Sequence, residues 1–207
     1  MEELPQILLD NYNILKPRIE ARLLDFKNVM KDDYFYELCY CLCTPQSKAE
    51  NAKIVQEKLE AKDFYNTRFD PTDILREPKH YIRFHNQKAK RLLFAIDNFS
   101  EVLKILNESS NQYDKRDKIS TIVNGFGMKE SSHYLRNIGY TGLAILDRHI
   151  LKHLYLCGLY DSVPKASSTK QYLAVEKRFI EFADQVNIPI DQLDLLFWSY
   201  ETGEILK

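Results

Sequence analysis

Two glycines one residue apart, Gly125 and Gly127, interrupt what is otherwise a helical run of side chains. The segment reads Val123-Asn124-Gly125-Phe126-Gly127-Met128-Lys129, and apolar residues recur at three and four on either side of it. Glycine accepts positive φ and close backbone approach, so the spacing predicts a tight hairpin over 124–128. The flanking helices are expected over 114–123 and 129–138. Such a hairpin can turn its N–H groups outward and form an anion site with the N-terminus of the next helix. The same glycines would equally serve as a plain C-cap between two helices.

The rest of the chain follows the same period. With six glycines and seven prolines in 207 residues, strand-like alternation bounded by turns is scarce. Helices are expected over 33–43, 47–61, 88–99, 100–108, 148–156, 170–185 and 191–200, with a short one opened by Asp70-Pro71-Thr72-Asp73. Ser47 and Glu50 have the spacing of a capping box. The fold class is therefore all-α with short connections, on a chain long enough for one sizeable core or two small ones.

Composition removes several function classes. No apolar run is long enough to span a bilayer, and the start, Met1-Glu2-Glu3-Leu4-Pro5, lacks the basic and apolar regions of a secretory signal. An intracellular protein with no membrane partner is expected. Cys39, Cys41 and Cys43 recur at spacing two and suit neither a disulfide framework nor a CxxC metal site, so buried thiols are expected, Cys157 included. The net charge of −1 leaves any nucleic-acid surface to local basic clusters, such as Lys88, Lys90 and Arg91, or Lys115, Arg116 and Lys118. Nothing in the sequence demands more than a monomer.

Two residues carry chemistry. Lys129 follows the hairpin at the start of a helix, where the dipole disfavours an ammonium. An amine must shed its proton to attack, so this placement suits a nucleophile. Asp147 lies eighteen positions further on, between the apolar stretch Leu143-Ala144-Ile145-Leu146 and a new helix. It is placed to be an N-cap, and a capping carboxylate can also stabilise developing positive charge.

Hairpin, lysine and aspartate together resemble the helix-hairpin-helix DNA glycosylases. Two further segments support the resemblance. Phe84-His85-Asn86-Gln87-Lys88-Ala89-Lys90-Arg91 looks like a stretch that begins a helix in endonuclease III-like enzymes, and Cys43-Thr44-Pro45-Gln46-Ser47 looks like the segment whose residue enters the gap left by a flipped nucleotide. No four-cysteine cluster follows Asp147, so no iron–sulfur cluster is expected. The short chain ending in Lys207 is similar to the compact second family of 8-oxoguanine DNA glycosylase/AP lyases.

The resemblance implies two helical subdomains with the active site in the cleft between them: 31–141, ending in the helix-hairpin-helix, and 1–30 with 142–207. It implies Lys129 and Asp147 as catalytic residues. Trp198, Lys207, His133 and Gln46 would meet the flipped base or its vacancy, and Gly125, Gly127, Asn86 and Lys88 would contact DNA. No cofactor or structural metal is required, although by family analogy one monovalent cation could be held by hairpin carbonyls. The expected partner is double-stranded DNA containing 8-oxoguanine. The competing readings are a glycosylase for oxidised or mismatched pyrimidines, and a helix-hairpin-helix module that grips DNA without chemistry. The hairpin reads Asn-Gly-Phe-Gly where many relatives carry Leu-Pro-Gly-Val-Gly, so the stiffening proline is absent.

Overall fold

The structure, a computed structural model, describes residues 2–206, and among them there is no strand. In chain order the helices are α1 (Gln6–Lys27), α2 (Tyr34–Cys43), α3 (Ala49–Ala61), α4 (Phe64–Thr67), α5 (Thr72–Arg76), α6 (His85–Asn107), α7 (Gln112–Ile122), α8 (Met128–Asn137), α9 (Arg148–Leu156), α10 (Thr169–Gln185) and α11 (Ile190–Thr202). The all-α expectation holds. No helix among the described residues is long and apolar enough to cross a membrane. The chain divides into two compact units, one formed by 29–138 and the other by 1–28 together with 139–207.

The unit 29–138 is organised around α2. This helix is apolar on nearly every side and buried from Phe35 to Cys43, the pattern of a helix enclosed by others. It packs against α3, α6 and α8. Its one charged residue, Glu37, is buried and accepts from Gln56 Nε2 at 2.9 Å and Asn137 Nδ2 at 3.0 Å, which ties α2 to α3 and α8. All four cysteines of the chain are buried free thiols, and burial pushes Cys43 up to about 12, where it is inert as a nucleophile.

Two helix expectations change in this unit. The segments read as separate helices over 88–99 and 100–108 form one helix, α6, because Val102 and Ile105 continue the buried stripe of Leu92, Ile96 and Phe99 past Ser100. Its C-terminal carbonyls are closed by Lys115, whose Nζ donates to Ile105 O and Leu106 O at 3.0 Å. That lysine is buried, not part of a basic face. Helix α3 begins at Ala49 without a side-chain cap, because the Ser47 hydroxyl accepts instead from Arg83 N at 3.0 Å.

In the other unit, α1 was not legible as a helix. It contains Pro17, a residue expected to break one, yet Leu8, Tyr12, Ile19 and Phe26 still form one buried face. Burial against α11 outweighs the lost N–H. The core continues as a stack of rings: His153 lies on Phe197 with centroids 4.8 Å apart, and Phe197 on Phe179 at 5.9 Å. The stack locks α9 to α11 and α11 to α10.

Candidate active site

The hairpin closes as the sequence implies, with Phe126 N donating to Val123 O at 3.0 Å and the Phe126 ring packed near Tyr134. The two glycines do different work. Gly125 has φ +97°, so its backbone favours glycine, and the Arg91 side chain lies against it, where it would have to swing aside for a Cβ. Gly127 is extended at φ −123°, and a Cβ would make only ordinary contact. Its N–H instead donates to Glu130 Oε2 at 3.2 Å, so the third residue of α8 reaches back to cap the helix start. The other Glu130 oxygen pairs with Lys129 Nζ at 2.9 Å. The carboxylate thus offsets the unfavourable position of an ammonium at a helix N-terminus. Glu130 was missed in the sequence, although Gly127-Met128-Lys129-Glu130 carries the Ncap-to-N3 spacing that could have revealed it.

Asp147 is the N-cap of α9, and one oxygen does all the capping. Oδ1 accepts from His149 N at 2.8 Å and Ile150 N at 2.9 Å. Oδ2 has no hydrogen-bond partner among the described residues, which leaves half of an oriented carboxylate for another group. The preceding strip 142–146 is irregular, and its residues 143–146 are buried, so its N–H groups need partners. Side chains supply them: Gly142 N donates to Asp191 at 2.9 Å, Ala144 N to Glu176 at 3.1 Å, Ile145 N to Asp194 at 3.2 Å, and Tyr172 OH to Ala144 O at 2.6 Å. None of these supports was visible in the sequence, since they come from α10 and α11, tens of residues away. Substituting Glu176→Ala leaves the buried Ala144 N–H unpaired and is expected to lower stability by about 1–3 kcal/mol. Urea unfolding measures this; an unchanged midpoint would show that the strip does not need its carboxylates.

Behind Asp147, Glu201 of α11 collects the polar side chains of α9. It accepts from Lys152 Nζ at 2.8 Å, stands 3.0 Å from His153 Nε2 and 3.6 Å from His149 Nδ1. The bond from Lys152 holds its carboxyl below the usual range. Burial lowers His153 in turn, so a neutral ring stacked on Phe197 is favoured. Trp198, half-buried, sits on the same α11, so Asp147 and Trp198 ride on two helices locked together.

Gln46 occupies an exposed turn after α2. Ser47 N donates to Thr44 O at 2.9 Å, Pro45 fills the second position and Gln46, at φ +57°, the third. A type II turn prefers glycine there. A glutamine on left-handed backbone is locally unfavourable. Gln46→Gly is therefore expected to raise stability by up to about 1 kcal/mol. Melting curves check this, and a lowered midpoint would show that the side chain itself holds the turn.

The remaining expected residues divide. Asn86 is exposed in the first turn of α6. Lys88, two residues later, is not a surface contact: it is buried, and its Nζ donates to Cys43 O and Pro45 O at 2.7 Å each and to Ser47 Oγ at 3.3 Å. The helix period turns Asn86 outward and Lys88 inward, which corrects the reading of Lys88 as a DNA contact. His133 is buried on α8, one turn after Lys129, with its ring edge-on to Tyr40 at 5.6 Å. Lys207 lies outside the described residues. Among the described residues no three His, Cys, Asp or Glu side chains gather as metal ligands would.

Comparison with known proteins gives a consistent result. The family profile described as 8-oxoguanine DNA glycosylase matches residues 19–188. The 8-oxoguanine DNA glycosylase/AP lyase of Methanocaldococcus jannaschii is 32% identical over 196 residues, covering 93% of each chain. The protein of the same name from Fusobacterium nucleatum is 35% identical, covering 95% of this chain and 94% of its own. The crystal structure of the M. jannaschii 8-oxoguanine glycosylase/lyase in complex with a 15mer DNA containing 8-oxoguanine superposes with a TM-score of 0.85 at 30% identity, covering 97% of this chain and all of that one.

Proposed function

This chain belongs to the helix-hairpin-helix family of 8-oxoguanine DNA glycosylases, and we propose that Lys129 and Asp147 perform in it the chemistry for which that family is named. It removes 8-oxoguanine from DNA and nicks the strand as an AP lyase. What supports the assignment of residues is found in each unit by itself: an amine at the foot of the hairpin in one, and in the other an aspartate whose Oδ2 is left open by its own cap.

The damaged base must leave the stack to be reached, which costs roughly a few kcal/mol of unstacking and unpairing. The hairpin amides and the first turn of α8 would hold a backbone phosphate, with Asn86 adding a polar contact. Gly127 N–H is already donated to Glu130, so Gly125 and the α8 terminus are the donors with most to offer. A monovalent cation at the hairpin would suit its carbonyl oxygens; Val123 O already accepts one bond and keeps a second lone pair. Such an ion would help hold the phosphate and has no part in the bond-breaking steps.

Gln46 would fill the vacancy in the duplex, and Trp198, His133 and Lys207 are the residues we assign to the extruded base. As the C1′–N9 bond breaks, its electron pair leaves with the purine and positive charge grows on the sugar. Asp147 Oδ2 would stabilise that charge. Lys129 Nζ, deprotonated, attacks C1′, and opening of the sugar ring yields a protonated Schiff base. Glu130, already paired with Nζ, is an acceptor for the proton that the amine must lose. Removal of a C2′ proton then expels the 3′ phosphate and cuts the strand.

Borohydride trapping on a duplex with a single 8-oxoguanine, beside undamaged and oxidised-pyrimidine duplexes, tests the reading. A covalent adduct on the 8-oxoguanine duplex alone is expected. An adduct on oxidised pyrimidine alone would keep the lysine chemistry and overturn the base pocket. No adduct and no cleavage on any duplex would leave a DNA-binding module without chemistry.

A further inference from the structure

A lysine buried among main-chain carbonyls is an unusual use of a charge, and in this chain it stands beneath the turn that displays Gln46. Lys88 comes from the first turns of α6, far from that turn in sequence. Its three bonds bracket Gln46. Cys43 O is the last carbonyl of α2, Pro45 O belongs to the peptide that leads into Gln46, and Ser47 Oγ lies on the residue after it. Ser47 Oγ accepts also from Arg83 N, so α6 and the segment leading into it are both tied to the same turn. The turn needs such support, since Gln46 has left-handed backbone without being glycine. An ammonium has three donors and no acceptor, which matches this set of three oxygens.

We propose that Lys88 is a positioning residue: it clamps the Cys43–Ser47 turn so that Gln46 is held ready to occupy the gap left by the extruded base. This rests on the function proposed above. Lys88 touches neither DNA nor the reacting atoms and acts only through the turn. Burial pushes its ammonium down to about 8, with Arg91 and Lys129 lowering it further and Cys43 and Glu130 opposing. The clamp therefore holds its full set of donors below that pH and loses one above it.

The test compares single-turnover excision of 8-oxoguanine with cleavage at a preformed abasic site, where no paired base has to be displaced. Lys88→Met should lower excision by about a hundredfold, the scale of a misplaced contributor to the reaction, and change abasic-site cleavage by less than about threefold. In a Gln46→Gly background, Lys88→Met should add little to the loss, because the side chain it positions is gone. In the wild type the ratio of excision to abasic cleavage should fall as pH rises through about 8. In Lys88→Met it should be flat, because the group that titrates in the clamp is gone. Should Lys88→Met fold poorly, Ser47→Ala removes the longest of the three Lys88 bonds together with the bond from Arg83 N, and the same bias against excision is expected at smaller size. Equal losses on both substrates, additive losses with Gln46→Gly, or a wild-type ratio that ignores pH would each overturn the clamp. A wild-type protein that cleaves abasic sites but excises no 8-oxoguanine would overturn the proposed function itself, and the clamp with it.

Discussion

Lys129→Gln is expected to abolish the borohydride-trapped adduct and strand cleavage altogether, while affinity for an 8-oxoguanine duplex changes by less than about tenfold, or ~1.4 kcal/mol. An amide nitrogen cannot form a Schiff base, so the covalent step has no substitute. The structure gives reasons for the fold to survive. Lys129 is part-exposed, and its partner Glu130 keeps the bond from Gly127 N when the ammonium is lost. The hairpin backbone, which would hold the phosphate, depends on Gly125 and Phe126 and not on the lysine. Gel-shift titration beside the trapping assay separates the two properties. Residual adduct in the variant would place the nucleophile on another amine, and loss of binding in parallel with trapping would make Lys129 a phosphate contact.

The second large effect is expected at Asp147. Asparagine caps helices about as well as aspartate, so Asp147→Asn should retain both bonds, to His149 N and Ile150 N. Its stability should fall by no more than about 1 kcal/mol, the part due to the charge at the helix N-terminus. Excision should fall by about 10²–10³, the usual loss when one preorganised electrostatic group is removed from a transition state. Asp147→Ala should lose the same rate and a further ~1 kcal/mol of stability, because the cap goes too. The contrast between the two variants, read by unfolding curves and single-turnover excision, divides capping from catalysis. If asparagine were fully active, Oδ2 would have no role in the chemistry, and Asp147 would be a cap and nothing more.

Both effects fall on residues that local pattern reveals. A glycine pair between two runs of helical period can close in few ways, and a lysine and an aspartate at helix starts are visible because caps and dipoles act within a turn of the residue concerned. The same locality made α9 readable to its ends and the all-α class plain. It failed where tertiary contacts overrode it. No helix was expected over α1, which contains Pro17 and is kept by burial on α11. Ser100 suggested a break, yet the apolar stripe of α6 runs through it.

The amino-acid sequence by itself determined the helical class, the hairpin, the cap at Asp147 and the amine at Lys129, because each depends on neighbours within four or five positions. Tertiary structure alone decided what those residues lean on. Arg91 lies against Gly125, and the strip before Asp147 stays in place through Glu176, Asp191 and Asp194. Lys88 shows the division most clearly. Its charge suggested a surface contact with DNA, and only the folded chain turns it inward onto Cys43, Pro45 and Ser47, since hydrogen bonds between residues some forty positions apart leave no periodic trace in a sequence.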